Sequence, residues 1–239
     1  MEGLSPGNVV LDEAAARYVT RVHRLGPGDR FVGFDPEARL EAEVEITAAA
    51  RSVAVLVGPL SEATAVARSG VWLLQALGKG DKPERVLRDA TALGVEHVLF
   101  VETRRAVVRV EGDGRARARR WHAIAVDAAR QSGRGDVPDV PAPCSLEEAF
   151  ARLPAGARRV CLVPGAESLL GAVLDAWTPG EPLAVLVGPE GGLDSAEIAA
   201  ARAAGFVAVR FGSFVLRTET AAVAVLGAIA ARGTPGAPG

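Results

Sequence analysis

The 239-residue chain carries 27 Lys and Arg against 29 Asp and Glu, a formal net charge of −2, and 49% of its residues are hydrophobic. Such a balance suits a globular chain of one or two domains with a large core. It excludes a disordered chain and an overall field that draws nucleic acid. No apolar run approaches the roughly 20 residues of a membrane span, and no basic-then-apolar leader opens the chain, so the expected location is the cytoplasm.

In chain order, Leu11, Ala14, Ala15, Tyr18, Val19 and Val22 form one apolar stripe and predict a helix over 11–25, stopped by Gly26-Pro27-Gly28-Asp29. Strands are expected at Arg30–Phe34, Leu40–Ile46 and Val53–Val57. In the second, Leu40, Ala42, Val44 and Ile46 alternate with Glu41, Glu43 and Glu45, so one face is wet. Short antiparallel strands joined by turns indicate a small barrel. Small and polar residues from Gly58 to Gly70 mark a domain boundary. His23 is read as a half-buried spacer.

A strand at Val71–Leu77, a helix with Val86, Leu87, Ala90 and Leu93 on one face, and a strand at Val95–Val101 compose a βαβ unit. Lys79 and Lys82, between the first strand and the helix, read equally as an anion or RNA-backbone site and as solvated charges. From Arg104 to Arg134 nine arginines face three acids, Glu111, Asp113 and Asp127. Over 115–131, Trp121, Ile124, Ala125, Ala128 and Ala129 recur at helical spacing, which makes Trp121 a core residue rather than a stacking platform. A Pro-punctuated connection (137–143), a short helix (146–153) and a strand (159–163) follow. The strand ends in Pro164-Gly165-Ala166-Glu167, ahead of a helix bearing Leu169, Leu170, Val173 and Leu174. Cys161, inside an apolar run, reads as a buried small hydrophobe. Two cysteines (Cys144, Cys161) and three scattered histidines give no metal spacing, and no metal is expected.

The most informative stretch is 182–221. Leu183–Val187 is apolar without alternation, as in a strand buried on both faces of a parallel sheet. It ends in Gly188-Pro189-Glu190-Gly191-Gly192, where backbone amides can approach a ligand. Asp194 then takes an N-cap position with Glu197 three residues on, as in a capping box. A strand at Phe206–Phe211 leads through Gly212-Ser213 into Leu216-Arg217-Thr218-Glu219-Thr220-Ala221 and an apolar helix over 220–231. One such loop alone reads as an ordinary strand-to-helix turn. It is neither a phosphate loop nor Gly-x-Gly-x-x-Gly. Two in succession describe a ligand crevice at the carboxyl ends of an open α/β sheet.

Gly188-Pro189-Glu190-Gly191-Gly192-Leu193 followed by Leu216-Arg217-Thr218-Glu219-Thr220-Ala221 resembles the ribosomal RNA small subunit methyltransferase E family. The resemblance extends over nearly the whole chain. Val22–Asp29 is similar to the family's Val-Leu-Arg-x-x-x-Gly-Asp signature, with His23 in place of Leu. Thr103–Val108 resembles its Arg-x-Val segment, and Arg130-Gln131-Ser132-Gly133-Arg134 its Glu-Gln-Ser-x-Arg. Ala92 and Arg130 stand where the family carries carboxylates, so no role of those acids transfers.

The resemblance implies an α/β fold of the SPOUT type, a parallel sheet with a C-terminal trefoil knot, preceded by a small PUA-like β-barrel domain. The implied domains are 1–66 for RNA binding and 67–232 for methyl transfer, with a disordered tail at 233–239. The implied activity is N3-methylation of one uridine of 16S rRNA by a homodimer, with S-adenosyl-L-methionine as cofactor and the small ribosomal subunit as partner. The cofactor would be held by Leu162, Val163 and Pro164, by Val187 and the loop Gly188, Pro189, Glu190, Gly191 and Gly192, and by Phe211, Gly212, Leu216, Arg217, Thr218 and Ala221. RNA would be met by Arg21, Arg24, Lys79, Lys82, Arg104, Arg105, Arg109, Gln131 and Arg134. Arg217 and Glu219 are the candidate catalytic pair: Arg217 to steady uracil oxygens that gain charge, Glu219 to take the N3 proton or to orient Arg217. The same two residues also read as a salt bridge that merely closes the loop. Two rival functions stand beside this one: a related enzyme acting on tRNA or 23S rRNA, and an RNA-binding module without transfer chemistry.

Overall fold

The computed structural model describes residues 4–49, 52–106 and 114–233. Its compact units divide between Val66 and Ala67, with Ala129–Val137 belonging to the first.

In the first unit, β1 (Gly7–Val10) leads into α1 (Glu13–Arg17), which continues as a π-helical turn over Tyr18–Val22. Strands β2 (Arg30–Asp35), β3 (Leu40–Ala49), β4 (Val53–Val57) and β5 (Ser61–Glu62) follow. They form an antiparallel sheet in the order β1-β4-β3-β2, with β5 also on β3. Alternation sets the buried face: Val44 opposes Val57 and Ile46 opposes Val55, and all four are buried. On the wet face, the Arg30 guanidinium reaches Glu43 and Glu45, each at 2.9 Å, which neutralises part of the acidic row.

The helix is shorter than its stripe suggests. After Arg17 the winding widens, His23 N–H donating to Tyr18 C=O, and Arg24 turns the chain at φ 58°. A wider turn advances fewer degrees per residue, so a 3.6-residue stripe drifts off its face. Leu11 and Val19 stay buried while Tyr18 and Val22 are exposed. His23 is exposed too, edge-on to Tyr18, rather than half-buried.

The second unit is built on β6 (Val71–Ala76), α2 (Lys82–Ala92), β7 (His97–Glu102), α3 (Arg115–Ser132), β8 (Cys144–Ser145), α4 (Leu146–Arg152), β9 (Arg158–Leu162), β10 (Ser168–Leu169), α5 (Leu170–Asp175), β11 (Leu183–Val187), α6 (Ser195–Ala203), β12 (Val207–Arg210) and α7 (Thr218–Ala230). Its seven strands lie in the order β10-β12-β9-β11-β6-β7-β8, and every neighbouring pair is parallel. Helices cover such a sheet on both faces, so the central strand β11 is apolar and buried at all five positions. Trp121 packs on Phe100 at 4.0 Å between ring centroids, in the core. Cys161 is buried, and loss of water pushes its thiol up to about 12. Leu169, expected on the buried face of α5, lies on edge strand β10 and is exposed.

Register positions the site. Val209 of β12, Leu162 of β9, Val187 of β11 and Gln75 of β6 lie level across the sheet. The loops after β9, β11 and β12 therefore leave from one row of carboxyl ends. β9 sits between β11 and β12, so the chain crosses over β9 on its way from β11 to β12.

Candidate functional site

At that row lies a cavity of ≈ 600 Å³, within the range of about 300–1,000 Å³ common for small-molecule sites. Three loops wall it. Leu162, Val163, Pro164 and Gly165 come from the end of β9, and Val187, Gly188, Pro189, Glu190 and Gly192 from the end of β11. The run from Val209 to Thr218, with Ala221 one turn into α7, closes the third side. Of the residues marked in the sequence for cofactor binding, all but Gly191 line this cavity. Gly191 faces away: its carbonyl accepts from Arg105 Nη1 at 3.0 Å. Arg210, Ser213, Phe214 and Val215 also line it, though the sequence reading did not single them out. Nothing in their types sets them apart, and only their place in the third loop puts them there. Phe214 and Val215 are exposed at 87% and 76%.

The glycines serve the loops in different ways. A Cβ on Gly188 would lie 3.2 Å from Leu193 Cγ and from its amide N, so this glycine lets the loop close on itself rather than opening space toward the cavity. Gly212 sits at φ +67° with open space around it, so its demand is conformational.

The third loop is fastened by Thr218. Its hydroxyl donates to Gly188 C=O at 2.6 Å and accepts from Gln75 Nε2 at 2.9 Å. That second bond fixes the Gln75 amide orientation, since the hydroxyl proton is already committed. The second loop is fastened by a capping box. Asp194 accepts from the Glu197 amide at 2.8 Å, and Glu197 accepts from the Asp194 amide at 2.8 Å. Glu197 is buried and also accepts from the Arg104 amide at 2.6 Å. The Glu197 amide, first among its neighbours, holds the Asp194 carboxyl below its usual range.

Charge is distributed differently from the expected Arg217–Glu219 pairing. Glu219 does not line the cavity and forms no ion pair with Arg217 among the described residues. Its partner is Lys82, whose Nζ lies 3.3 Å from Glu219 Oε2 and 2.7 Å from Glu190 Oε1. The 2.7 Å contact is a hydrogen-bonded ion pair. At 3.3 Å the Glu219 contact is an ion pair without hydrogen-bond geometry, and Oε2 is buried. The hydrogen bond to Glu190 chiefly raises the Lys82 pKa, and the same bond lowers that of Glu190. Arg217 lines the cavity, is exposed, and its guanidinium has neither hydrogen bond nor ion pair among the described residues.

The candidate RNA contacts fall into three groups. Arg21, Arg24, Lys79 and Gln131 are exposed. Arg104 and Arg105 lie against the second loop, with Arg104 Nη1 3.5 Å from Asp194 and Arg105 on the Gly191 carbonyl. Lys82 and Arg134 are committed internally: the Arg134 guanidinium is buried, with Nε and Nη2 on the two oxygens of buried Asp136 at 2.8 and 3.0 Å. Arg134 is therefore placed to fix its own loop, not to meet solvent. Arg109, with Val107 and Val108, and the tail from 234 onward lie outside the described residues. Among the described residues no cluster of His, Cys, Asp and Glu is suited to a metal ion, and no helix is long and apolar enough to cross a membrane.

Comparison with known proteins gives three concordant findings. Residues 67–230 match the family model of the RNA methyltransferase domain. The chain is 34% identical over 225 residues to the ribosomal RNA small subunit methyltransferase E of Mycobacterium bovis, covering 92% of this chain and 85% of that one. Two solved structures superpose on nearly its full length. One is a ribosomal RNA small subunit methyltransferase E from Neisseria gonorrhoeae bound to S-adenosyl methionine (TM-score 0.77, 28% identity, 97% of this chain and 94% of that chain). The other is a putative methyltransferase from Legionella pneumophila in complex with the bound cofactor SAM (TM-score 0.77, 26% identity, 97% and 96%).

Proposed function

The chain belongs to the ribosomal RNA small subunit methyltransferase E family of RNA methyltransferases, and from that premise we propose that it transfers a methyl group from S-adenosylmethionine to N3 of one uridine in 16S rRNA. The observation that carries the proposal is the convergence of three glycine-bearing loops and an unpaired arginine on one cavity at the carboxyl ends of β9, β11 and β12.

The residues present fit the cofactor. Apolar Leu162, Val163, Val187 and Leu216 offer a slot for an adenine ring, and the glycine turns bring peptide donors and acceptors to its edge. Bound S-adenosylmethionine supplies an electrophilic methyl on a positively charged sulfur. The chain's own task is to hold uracil beside that methyl, keep water out, and accommodate the charge that appears as N3 loses its proton. The charge spreads onto the two flanking carbonyl oxygens. Arg217 donates to one of them through its planar, positively charged fork. Transfer would form the N3–CH3 bond as the sulfur–methyl bond breaks, leaving the neutral thioether S-adenosylhomocysteine, and the N3 proton would pass to bulk solvent. Arg21, Arg24, Lys79, Arg104, Arg105, Arg109 and Gln131 are proposed to meet the RNA.

The first unit is proposed to be a PUA-like barrel that binds RNA, and the segment around Thr218 to be threaded as a trefoil knot. What supports the knot is the crossing of β9 between β11 and β12, followed by the return of Thr218 to Gly188 and Gln75. The enzyme is proposed to work as a homodimer, in the cytoplasm, on the assembled small subunit. Calorimetry tests the cofactor arm directly. Wild-type protein should bind S-adenosylmethionine, and Gly212→Val, strained by a side chain at positive φ, should bind at least about tenfold more weakly while remaining folded. A wild-type protein that binds none would instead be an RNA-binding module.

A further inference from the structure

Three chain segments far apart in sequence meet at one ammonium. Lys82 opens α2, Glu190 belongs to the loop after β11, and Glu219 lies in the first turn of α7. The Lys82 stem lies across Gly78: a Cβ there would stand 3.3 Å from Lys82 Cβ and 3.4 Å from its Cδ. The same glycine would bring a side chain 3.7 Å from Glu190 Oε1, so the bare backbone at Gly78 leaves room for the lysine to reach its partners.

Arg217 is the N-cap residue of α7 and Glu219 lies in its first turn, two positions on, so the loop end can bring these opposite charges together only if the guanidinium leaves the cavity. They do not pair. Glu219 Oε2 is buried without a hydrogen bond, and among the described residues the cation within ion-pair reach of it is Lys82. Without that cation, a partly buried carboxylate would be left uncompensated, which is the costly state for such a group. Arg217, two residues before Glu219 and with its guanidinium unpaired among the described residues, would then be drawn from the cavity to supply the charge.

We propose that Lys82 is a positioning residue for methyl transfer: by holding Glu219 and Glu190 it keeps Arg217 unpaired and free to face the substrate. The role rests on the reading of Arg217 given under Proposed function. It also departs from the sequence-based expectation that Lys82 meets RNA, because the ammonium is already shared between two carboxylates. Glu219 is then neither the proton acceptor nor the partner of Arg217, but a carboxylate whose charge has to be kept occupied.

The test compares wild type, Lys82→Met, Lys82→Arg and the double variant Lys82→Met/Glu219→Gln. Each is assayed for single-turnover methyl transfer to unmethylated small ribosomal subunits, S-adenosylmethionine affinity, and RNA affinity against salt. Lys82→Met should slow transfer about 10- to 100-fold, because a donor to the developing charge is diverted, while RNA affinity and its salt slope stay at wild-type values. The double variant should recover at least about fivefold over Lys82→Met, since the carboxylate that captures Arg217 has lost its charge. Lys82→Arg should transfer within about threefold of wild type, since a cation remains between the carboxylates. Should Lys82→Met not fold, Lys82→Gln with and without Glu219→Gln is read by the same pair of rates. A double variant no faster than the single one overturns the proposal. So does a normal rate at saturating RNA with a salt slope reduced by roughly 0.7 to 0.9, which marks a phosphate contact. Wild-type protein that transfers no methyl defeats the methyltransferase reading itself, whereas active wild type with an equally active Lys82→Met defeats only the positioning role.

Discussion

Arg217 lines the cavity with its guanidinium unpaired, and an unpaired cation at a site where anionic charge appears favours the transition state over the ground state. Arg217→Ala should therefore lower the single-turnover rate on the order of 100- to 1,000-fold, with cofactor and RNA affinities nearly kept. Arg217→Lys should recover only part of that, because the planar fork is lost. Equal losses in melting temperature and cofactor affinity would assign Arg217 to the loop's architecture instead. At this scale the sequence exposes residue types and local spacing, and so the loops that wall the cavity were legible: Gly188-Pro189-Glu190 and Leu216-Arg217-Thr218 each announce themselves within six residues. Partnerships across the chain were not legible. Lys82 and Glu190 are 108 positions apart, and no local pattern records that they meet. The motif makes Arg134 a candidate for RNA contact, yet two residues on, Asp136 turns it inward.

Among elements, α6 is the one whose start was written most plainly, as Asp194 with Glu197 three residues later. Both halves of that box are made, and the Asp194 carboxyl is held below its usual range by amides at the helix start, the Glu197 amide first. A depressed carboxylate contributes stability that is complete above its unfolded value of about 3.9 and is lost as pH falls through the lower folded value. Asp194→Asn, which keeps the capping oxygen but not its charge, should accordingly melt below wild type at neutral pH, by about 1–3 °C. The gap should shrink as pH falls below about 3.9 and close below the folded value, where wild type is protonated in both states. A gap independent of pH would mean the box acts through shape alone. Long elements with clear periods (α2, α3, β3), and the unbroken apolar run of β11, followed from the sequence within a residue or a few at their ends. The short pieces β1, β5, β8 and β10 did not, because two to four residues at a sheet edge show no period and depend on a partner strand. The π-helical turn at Tyr18–Val22 was hidden for a related reason: an apolar stripe implies regular winding, and the winding here is not regular.

At the scale of the molecule, α7 ties sequence to assembly. Ala222, Val225, Leu226 and Ile229 are buried within the chain, while Ala221, Val223, Ala224 and Ala228 are only half covered. A helix so apolar on its second face is suited to a further partner, and a second copy of the chain fits the proposed dimer. Sedimentation at micromolar concentration should show a dimer, and Val223→Glu should weaken both dimer and transfer; an active monomer would separate assembly from activity. Domain roles and the rRNA target rest on the family more than on any residue, since a net charge of −2 gives no global sign of an RNA partner. The most direct test is therefore to map methylated nucleotides by mass in tRNA and in the rRNA of both ribosomal subunits from a strain lacking this gene, before and after the tRNA and intact subunits are treated with the purified protein and S-adenosylmethionine. The account predicts a single new 3-methyluridine in 16S rRNA that Arg217→Ala fails to install. A mark that appears only in tRNA or 23S rRNA, or no mark at all, would contradict it.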